Sequence, residues 1–228
     1  MPIPRFLDQR MTSIAILGGT GQHGRGLAQR FAAAGARVIV GSRDPLRARE
    51  TVAKWGTAGQ SIVVAHNAVA VEHSDLTVLA VPFTRVDTLL TEVHSQFRDT
   101  SIVIDVTVPV TFSGGRMTML EVDEGSATEH IRARLPAGVQ LAAAFKTIPA
   151  HVLGAASESL DCDEFVCGDS DEARARASAL VELVPGLRPI DVGPLSRARF
   201  IEHVTALAIA INRTHKIHDA RFRVVGLT

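Results

Sequence analysis

Apolar residues along this chain gather in short Val- and Ile-rich runs, separated by longer stretches where they recur every three or four positions. The runs at 13–17, 36–40, 61–64, 76–80, 101–105 and 139–142 read as strands, with a later one at 164–167. They are apolar at nearly every position rather than alternating, as strands covered on both faces must be. Leu27 and Phe31 lie four apart, predicting a helix over 22–34 that Gly35 closes. Asp44 and Pro45 open the next helix as N-cap and first-turn residue. Pro82 ends the fourth strand and leads to a helix at 86–93, and two more are expected at 171–184 and 195–212. The alternation predicts an α/β fold, a doubly wound parallel sheet with helices on both faces.

The alternation lapses between Val106 and Glu124, where Pro109, Gly114, Gly115, Met117 and Met119 follow a strand end. In open α/β sheets, ligands bind beside such loops. After Pro149 the character changes, and residues 146–228 read as a small, mainly helical C-terminal segment. In its last helix Ile201, Val204, Leu207, Ala208 and Ile211 form an apolar stripe, suited to a second copy in a homodimer or to packing back on the sheet.

The chain has 228 residues, 46% of them hydrophobic, as a well-buried globular protein requires. Lys plus Arg and Asp plus Glu number 24 each, so the charge balance points to neither nucleic acid nor an anionic membrane. No apolar run approaches the ~20 residues of a membrane span. The start, Met1-Pro2-Ile3-Pro4-Arg5, lacks the regions of a signal peptide and reads as a polar leader before Met11, an alternative start. Cys162 and Cys167 are too few for a disulfide framework and read as reduced core thiols of a cytoplasmic protein. His215 and His218 have no third ligand near in sequence and read as surface residues, so no metal is expected.

The strongest motif is Gly19-Thr20-Gly21-Gln22-His23-Gly24, preceded by Gly18, between the first strand and the first helix. There the glycines allow a tight turn, close approach of a pyrophosphate and close helix–strand packing, with the phosphates against free N–H groups of the helix N-terminus. This is the fingerprint of a Rossmann-type dinucleotide-binding domain, placed here at 12–145. An NAD site usually carries an acidic residue about 20 positions on. This chain has Gly41-Ser42-Arg43 there, a hydroxyl and a guanidinium suited to a 2′-phosphate, so the cofactor is read as NADP(H). Asp44 is read as a helix cap, and Arg47 and Arg49 as a phosphate contact or surface charges.

The chain also resembles a known family, the NADPH-dependent reductases of coenzyme F420, a 5-deazaflavin hydride carrier. The resemblance rests on the stretches 15–21, 40–43, 79–82, 144–150, 166–169 and 186–196, and runs from about Ser13 to Asn212. It implies hydride transfer between NADPH and a flavin-like ring, in a cleft between the dinucleotide domain and the C-terminal part. By position it puts Thr20, Gly21, Gln22 and His23 around the pyrophosphate, and Ser42 and Arg43 on the 2′-phosphate. Ala80, Val81 and Pro82 would meet the nicotinamide. The acceptor ring would lie near Lys146, Thr147, Ile148 and Pro149, with Pro194, Leu195 and Ser196 on its other side. Lys146 stands where archaeal members tend to carry His, and residues 212–228 match poorly.

Hydride transfer between two bound rings needs no side-chain nucleophile, which fits a chain without a triad or acid pair. Lys146 is the one candidate chemical group, able to polarise a ring carbonyl or bind an acceptor's phosphate; the alternative is a solvated lysine. Arg197 and Arg199 are further candidates for an anionic acceptor tail. His23 reads as a phosphate donor or an exposed loop residue, and Met117 and Met119 as a ring lining or as filler. Two rival functions stand beside the deazaflavin one: a reductase of ordinary flavin or another small electrophile, and an NADP(H)-binding sensor without turnover.

Overall fold

The computed structural model describes residues 13–155 and 159–227; the expected leader and the start at Met11 lie outside the described residues. Strands β1 (Ser13–Leu17), β2 (Arg37–Ser42), β3 (Val63–His66), β4 (Leu76–Leu79) and β5 (Ile102–Asp105) alternate with helices. The helices are α1 (Gln22–Ala33), α2 (Pro45–Ala53), α3 (Thr57–Gln60), α4 (Asn67–Glu72) and α5 (Val86–Val93). A hairpin of β6 (Val110–Ser113) and β7 (Arg116–Met119) occupies the stretch where the alternation lapses. Then follow α6 (Ala127–Arg132), β8 (Gln140–Ala143), α7 (Ala150–Gly154), β9 (Cys162–Gly168), α8 (Asp171–Glu182), β10 (Leu187–Pro194) and α9 (Ala198–His215).

Among the described residues, eight strands form one sheet in the order β10-β9-β8-β5-β4-β1-β2-β3, every pair parallel except β8–β9. From β1 the chain builds outward to β2 and β3, then crosses back to lay β4 on the other side. Strand order therefore reverses between β1 and β4, the crevice where such sheets bind ligands.

Local signals act as expected. Gly35 takes φ +89° and lets the Ala36 N–H reach the Phe31 carbonyl at 3.0 Å, closing α1. The Asp44 carboxylate accepts from the Arg47 N–H at 3.1 Å and caps α2, which begins at Pro45. The apolar strands serve two core layers. Ile14 and Ile16 join Leu27, Phe31 and Leu180 on one face, while Ala15 and Leu17 join Leu89, Leu90 and Val93 on the other. Both layers need apolar residues, so β1 shows no alternation.

The C-terminal segment contains the helices α7, α8 and α9, but it also extends the sheet with β9 and β10. Pro189, Gly193 and Pro194 hide β10 from a sequence reading; an edge strand tolerates them. β9 pairs with β8 only at Ala142–Gly168 and Ala143–Cys167. Where the two diverge, the end of the chain fills in: the Asp163 N–H donates to the Phe222 carbonyl at 2.9 Å, and the Val224 N–H to the Asp163 carboxylate at 2.6 Å. Arg188 grips the same carboxylate with two bonds of 2.8 Å. Among the described residues, no helix is long and apolar enough to cross a membrane.

Candidate active site

The glycine turn joins β1 to α1. Its glycines divide by physical role. A Cβ on Gly18 would stand 2.5 Å from the Ala80 carbonyl oxygen, and one on Gly24 2.6 Å from the Gly18 oxygen, so the fold itself excludes side chains there. Gly19 is crowded by Val40 at 2.9 Å. Gly21 has ordinary extended backbone (φ −71°), and a Cβ there would meet only the Gly18 oxygen, at 3.3 Å. The fold's own demand for glycine is therefore weaker there than at Gly18 or Gly24. No side chain caps α1 at Gly21, so the first N–H groups of that helix remain for an anion.

Beside this turn lies a pocket lined by Thr20, Gly21, Ser42, Arg43, Ala80, Val81 and Pro82. Ser42 donates to the Asp44 carbonyl at 3.0 Å and accepts from its N–H at 3.1 Å, fixing the strand end. With the Asp44 carboxylate committed to α2, Arg43 is exposed and makes no ion pair among the described residues. A cation without a partner at the end of β2, beside the free N–H groups of α1, is the donor set a 2′-phosphorylated dinucleotide requires. Asn67, Arg85, Thr88, Leu89 and Glu92 also line this pocket and escaped the sequence reading; Asn67 holds Glu92 at 3.0 Å. Arg47 and Arg49 do not line it.

A second cavity of about 520 Å³ adjoins the first, sharing Gly21 and the Ala80–Val81–Pro82 turn. Lys146, Thr147, Ile148 and Pro149 line it, where the resemblance put the acceptor; Gln22 and His23 line it too and not the first pocket, although the resemblance put them around the pyrophosphate. Its other lining departs from expectation. Pro194, Leu195 and Ser196 do not reach it; they form the end of β10 and the turn after it, with Leu195 packed on the core. Their place is taken by Thr205, Ala208, Ile209 and Asn212, one face of α9. That spacing of i, i+3, i+4 and i+7 was the signal available in the sequence. Met117 lies in a separate groove against Ile209 and Asn212, while Val110 and Phe112 of the hairpin border the cavity. His23 is turned inward, its Nε2 closed off without a partner. Burial pushes its imidazole down to about 4 against the pull of a Phe145 backbone bond, so it brings no charge to a phosphate at neutral pH.

Lys146 is neither solvated nor offered to a ligand. Its ammonium, with 0% side-chain exposure, lies 2.7 Å from Asp105 and 3.1 Å from Glu202, and donates to the Thr107 carbonyl. Burial alone would lower its pKa, but the two carboxylates outweigh that and hold it above the ordinary lysine value. The turn at Phe145 carries it inward. Phe145 adopts φ +57°, a left-handed conformation costing roughly 1–2 kcal/mol, and its buried ring meets Phe31 edge-on at 5.7 Å. The next peptide is held from β9: Glu164 accepts from the Lys146 N–H at 2.9 Å and the Thr147 hydroxyl at 2.7 Å. Arg197 and Arg199 are also engaged, the first with the Val192 carbonyl and the second with Glu129.

Comparison with known proteins agrees with this geometry. The family described as NADP oxidoreductase, coenzyme F420-dependent, matches residues 13–109. An F420-dependent NADP reductase of Methanothermobacter thermautotrophicus is 38% identical over 221 residues, covering 94% of this chain and 95% of that protein. One from Methanocaldococcus jannaschii is 31% identical over 94% of this chain and 98% of its own. A crystal structure from Arthrobacter sp. FB24 shares the fold with a TM-score of 0.81, at 24% identity, over 93% of this chain and 98% of that one. A glycine turn beside two adjoining cavities thus occurs in a chain whose relatives match it almost end to end, and the chain belongs to the coenzyme F420-dependent NADP oxidoreductase family.

Proposed function

We propose that this chain transfers a hydride between NADPH and the deazaflavin ring of coenzyme F420. NADPH gives up the hydride, the deazaflavin takes it together with a proton from solvent, and NADP⁺ remains. The observation that carries the reading is the adjoining pair of cavities sharing Gly21 and Ala80–Pro82. A dinucleotide lying along β1 and β2 in the first would present its nicotinamide at that turn to a second ring in the other. In this reading Thr20, Gly21 and the α1 N-terminus hold the pyrophosphate, and Ser42 and Arg43 the 2′-phosphate. Ala80, Val81 and Pro82 back the nicotinamide. Thr147, Ile148 and Pro149 face the acceptor, with α9 as the opposite wall. The chain's own part in the chemistry is alignment and exclusion of water.

The reading includes a cytoplasmic protein with free, buried Cys162 and Cys167, and a homodimer formed through the outer face of α9, where Phe200 and Leu207 are exposed. The test is stopped-flow absorbance with NADPH and the deazaflavin, FMN or riboflavin. Rapid bleaching of the deazaflavin alone is expected. Turnover only with the ordinary flavins would make the protein a flavin reductase, and none with any acceptor would make it a sensor.

A further inference from the structure

We infer that Glu202 is a positioning residue for hydride transfer: through Lys146 it locks α9 to the carboxyl end of β5 and sets the width of the cleft in which the two rings meet. The inference rests on the function proposed above. Lys146 joins three elements far apart in sequence, meeting Asp105 at the end of β5, Glu202 on α9 and the carbonyl of Thr107. Thr107, and Thr205, Ala208 and Ile209 just beyond Glu202, all line the second cavity. The links continue outward. Thr128 of α6 donates to Asp105 at 2.7 Å, the Ala127 N–H donates to the second Glu202 oxygen at 3.2 Å, and the Thr205 hydroxyl donates to the Lys146 carbonyl at 3.0 Å.

Two features separate this cluster from ordinary core packing. The first is that, among the buried residues of α9, only Glu202 is charged, and it carries the link from the helix to Lys146 and β5. Ala198 and Ile201 sit in a small apolar cluster with Ala143 and Cys167, Ala208 is buried, Arg199 pairs with Glu129 at 3.2 Å, and Phe200 and Leu207 face outward; of these contacts the Glu202–Lys146 bond is the one that ties α9 to the end of β5. The second is its chemistry. A buried ion cluster stabilises no better than well-packed apolar side chains, but its short, directed bonds define a geometry that apolar contacts leave loose. Reacting atoms must approach within about 3–3.5 Å, and a displacement near 1 Å lowers the rate about 100-fold, so the position of α9 bears directly on rate.

The test compares the full-length protein with Glu202→Gln and Thr205→Val. The readouts are NADPH affinity, the single-turnover rate of hydride transfer to the deazaflavin, the isotope effect with NADPH deuterated at the transferred position, and melting temperature. We expect NADPH affinity to stay within about twofold and the transfer rate of Glu202→Gln to fall about tenfold or more, with a changed isotope effect. Thr205→Val, which removes one hydroxyl, moves the rate the same way by less. A merely structural role lowers melting temperature and active fraction while rate constant and isotope effect stay as in wild type, and that result overturns the inference. If Glu202→Gln does not fold, Thr205→Val decides alone: an unchanged rate constant overturns it. A wild-type protein that reduces no deazaflavin overturns the proposed function and this inference with it, whereas an active wild type with an unchanged variant overturns the inference alone.

Discussion

The Lys146 ammonium lies 2.7 Å from the Asp105 carboxylate, and neither side chain has any exposure to solvent. Removing the lysine would leave two acidic groups, Asp105 and Glu202, without their counter-charge in the interior. Loss of one partner of a buried pair costs about 3–5 kcal/mol, so Lys146→Met should lower stability by that order. Urea denaturation checks it, and a change below about 1 kcal/mol would show that the cluster is not closed to water.

Cofactor choice follows from Arg43. A guanidinium–phosphate contact contributes roughly 1.5–3 kcal/mol, so NADPH should bind about 10- to 150-fold tighter than NADH. Arg43→Ala should narrow the gap mainly by weakening NADPH. Titration of both cofactors into both proteins measures this, and equal wild-type affinities refute the assignment.

Two neighbouring glycines should separate folding from binding. Gly18→Ala puts a Cβ 2.5 Å from the Ala80 oxygen and forces alanine to φ +84°, so the protein should be destabilised. Gly21→Ala keeps an ordinary extended backbone and meets only the Gly18 oxygen at 3.3 Å, a shift of a few tenths of an ångström rather than a clash. It should melt near the wild-type temperature yet bind NADPH at least about tenfold more weakly, because its methyl group stands where the pyrophosphate must approach. Wild-type NADPH affinity in Gly21→Ala would place the pyrophosphate elsewhere.

Glu164 makes stability depend on pH. Burial pushes its carboxyl up to about 7, although the Thr147 hydroxyl and the Lys146 and Thr147 N–H groups favour the charged form. The folded protein therefore holds a proton that the unfolded chain has already released. Its contribution is fully present below the ordinary value of about 4.5 and is lost as pH rises through about 7, a change of about 3 kcal/mol. Glu164→Gln should flatten this part of the stability–pH curve. Denaturant midpoints at pH 5 and pH 8 report it, and parallel curves for variant and wild type contradict it.

Assembly through α9 is the fifth expectation. Leu207 is 53% exposed and Phe200 65%, on a helix whose inner face is occupied. Light scattering should show a dimer at micromolar concentration, and Leu207→Glu should shift it toward monomer. A monomeric wild type rejects the arrangement.

Local signals were legible in the sequence because their physics is local. The two-sided strands, the Asp44 cap, the Gly35 stop and the glycine turn each depend on residues within one or two elements. The end of β2 at Ser42 and the Asp44 cap that follows it are local in the same way. What the tertiary structure decided involves partners distant in the chain. Lys146 looked like a free cation; only the approach of β5 and α9 shows it enclosed, because Asp105 and Glu202 lie 41 and 56 positions away. The apolar stripe of α9 divides likewise: Ile201 and Ala208 turn inward and Leu207 outward, because the inner face must also carry Glu202 to meet the lysine. Pro194, Leu195 and Ser196 were assigned to the cleft by position in the sequence, but β10 lies at the sheet edge, two strands beyond β8, and α9 covers the cleft instead. A one-dimensional pattern specifies which residues prefer burial and which turns the backbone can make; which buried charges meet, and which helix face closes a cavity, depends on how separate elements pack in space.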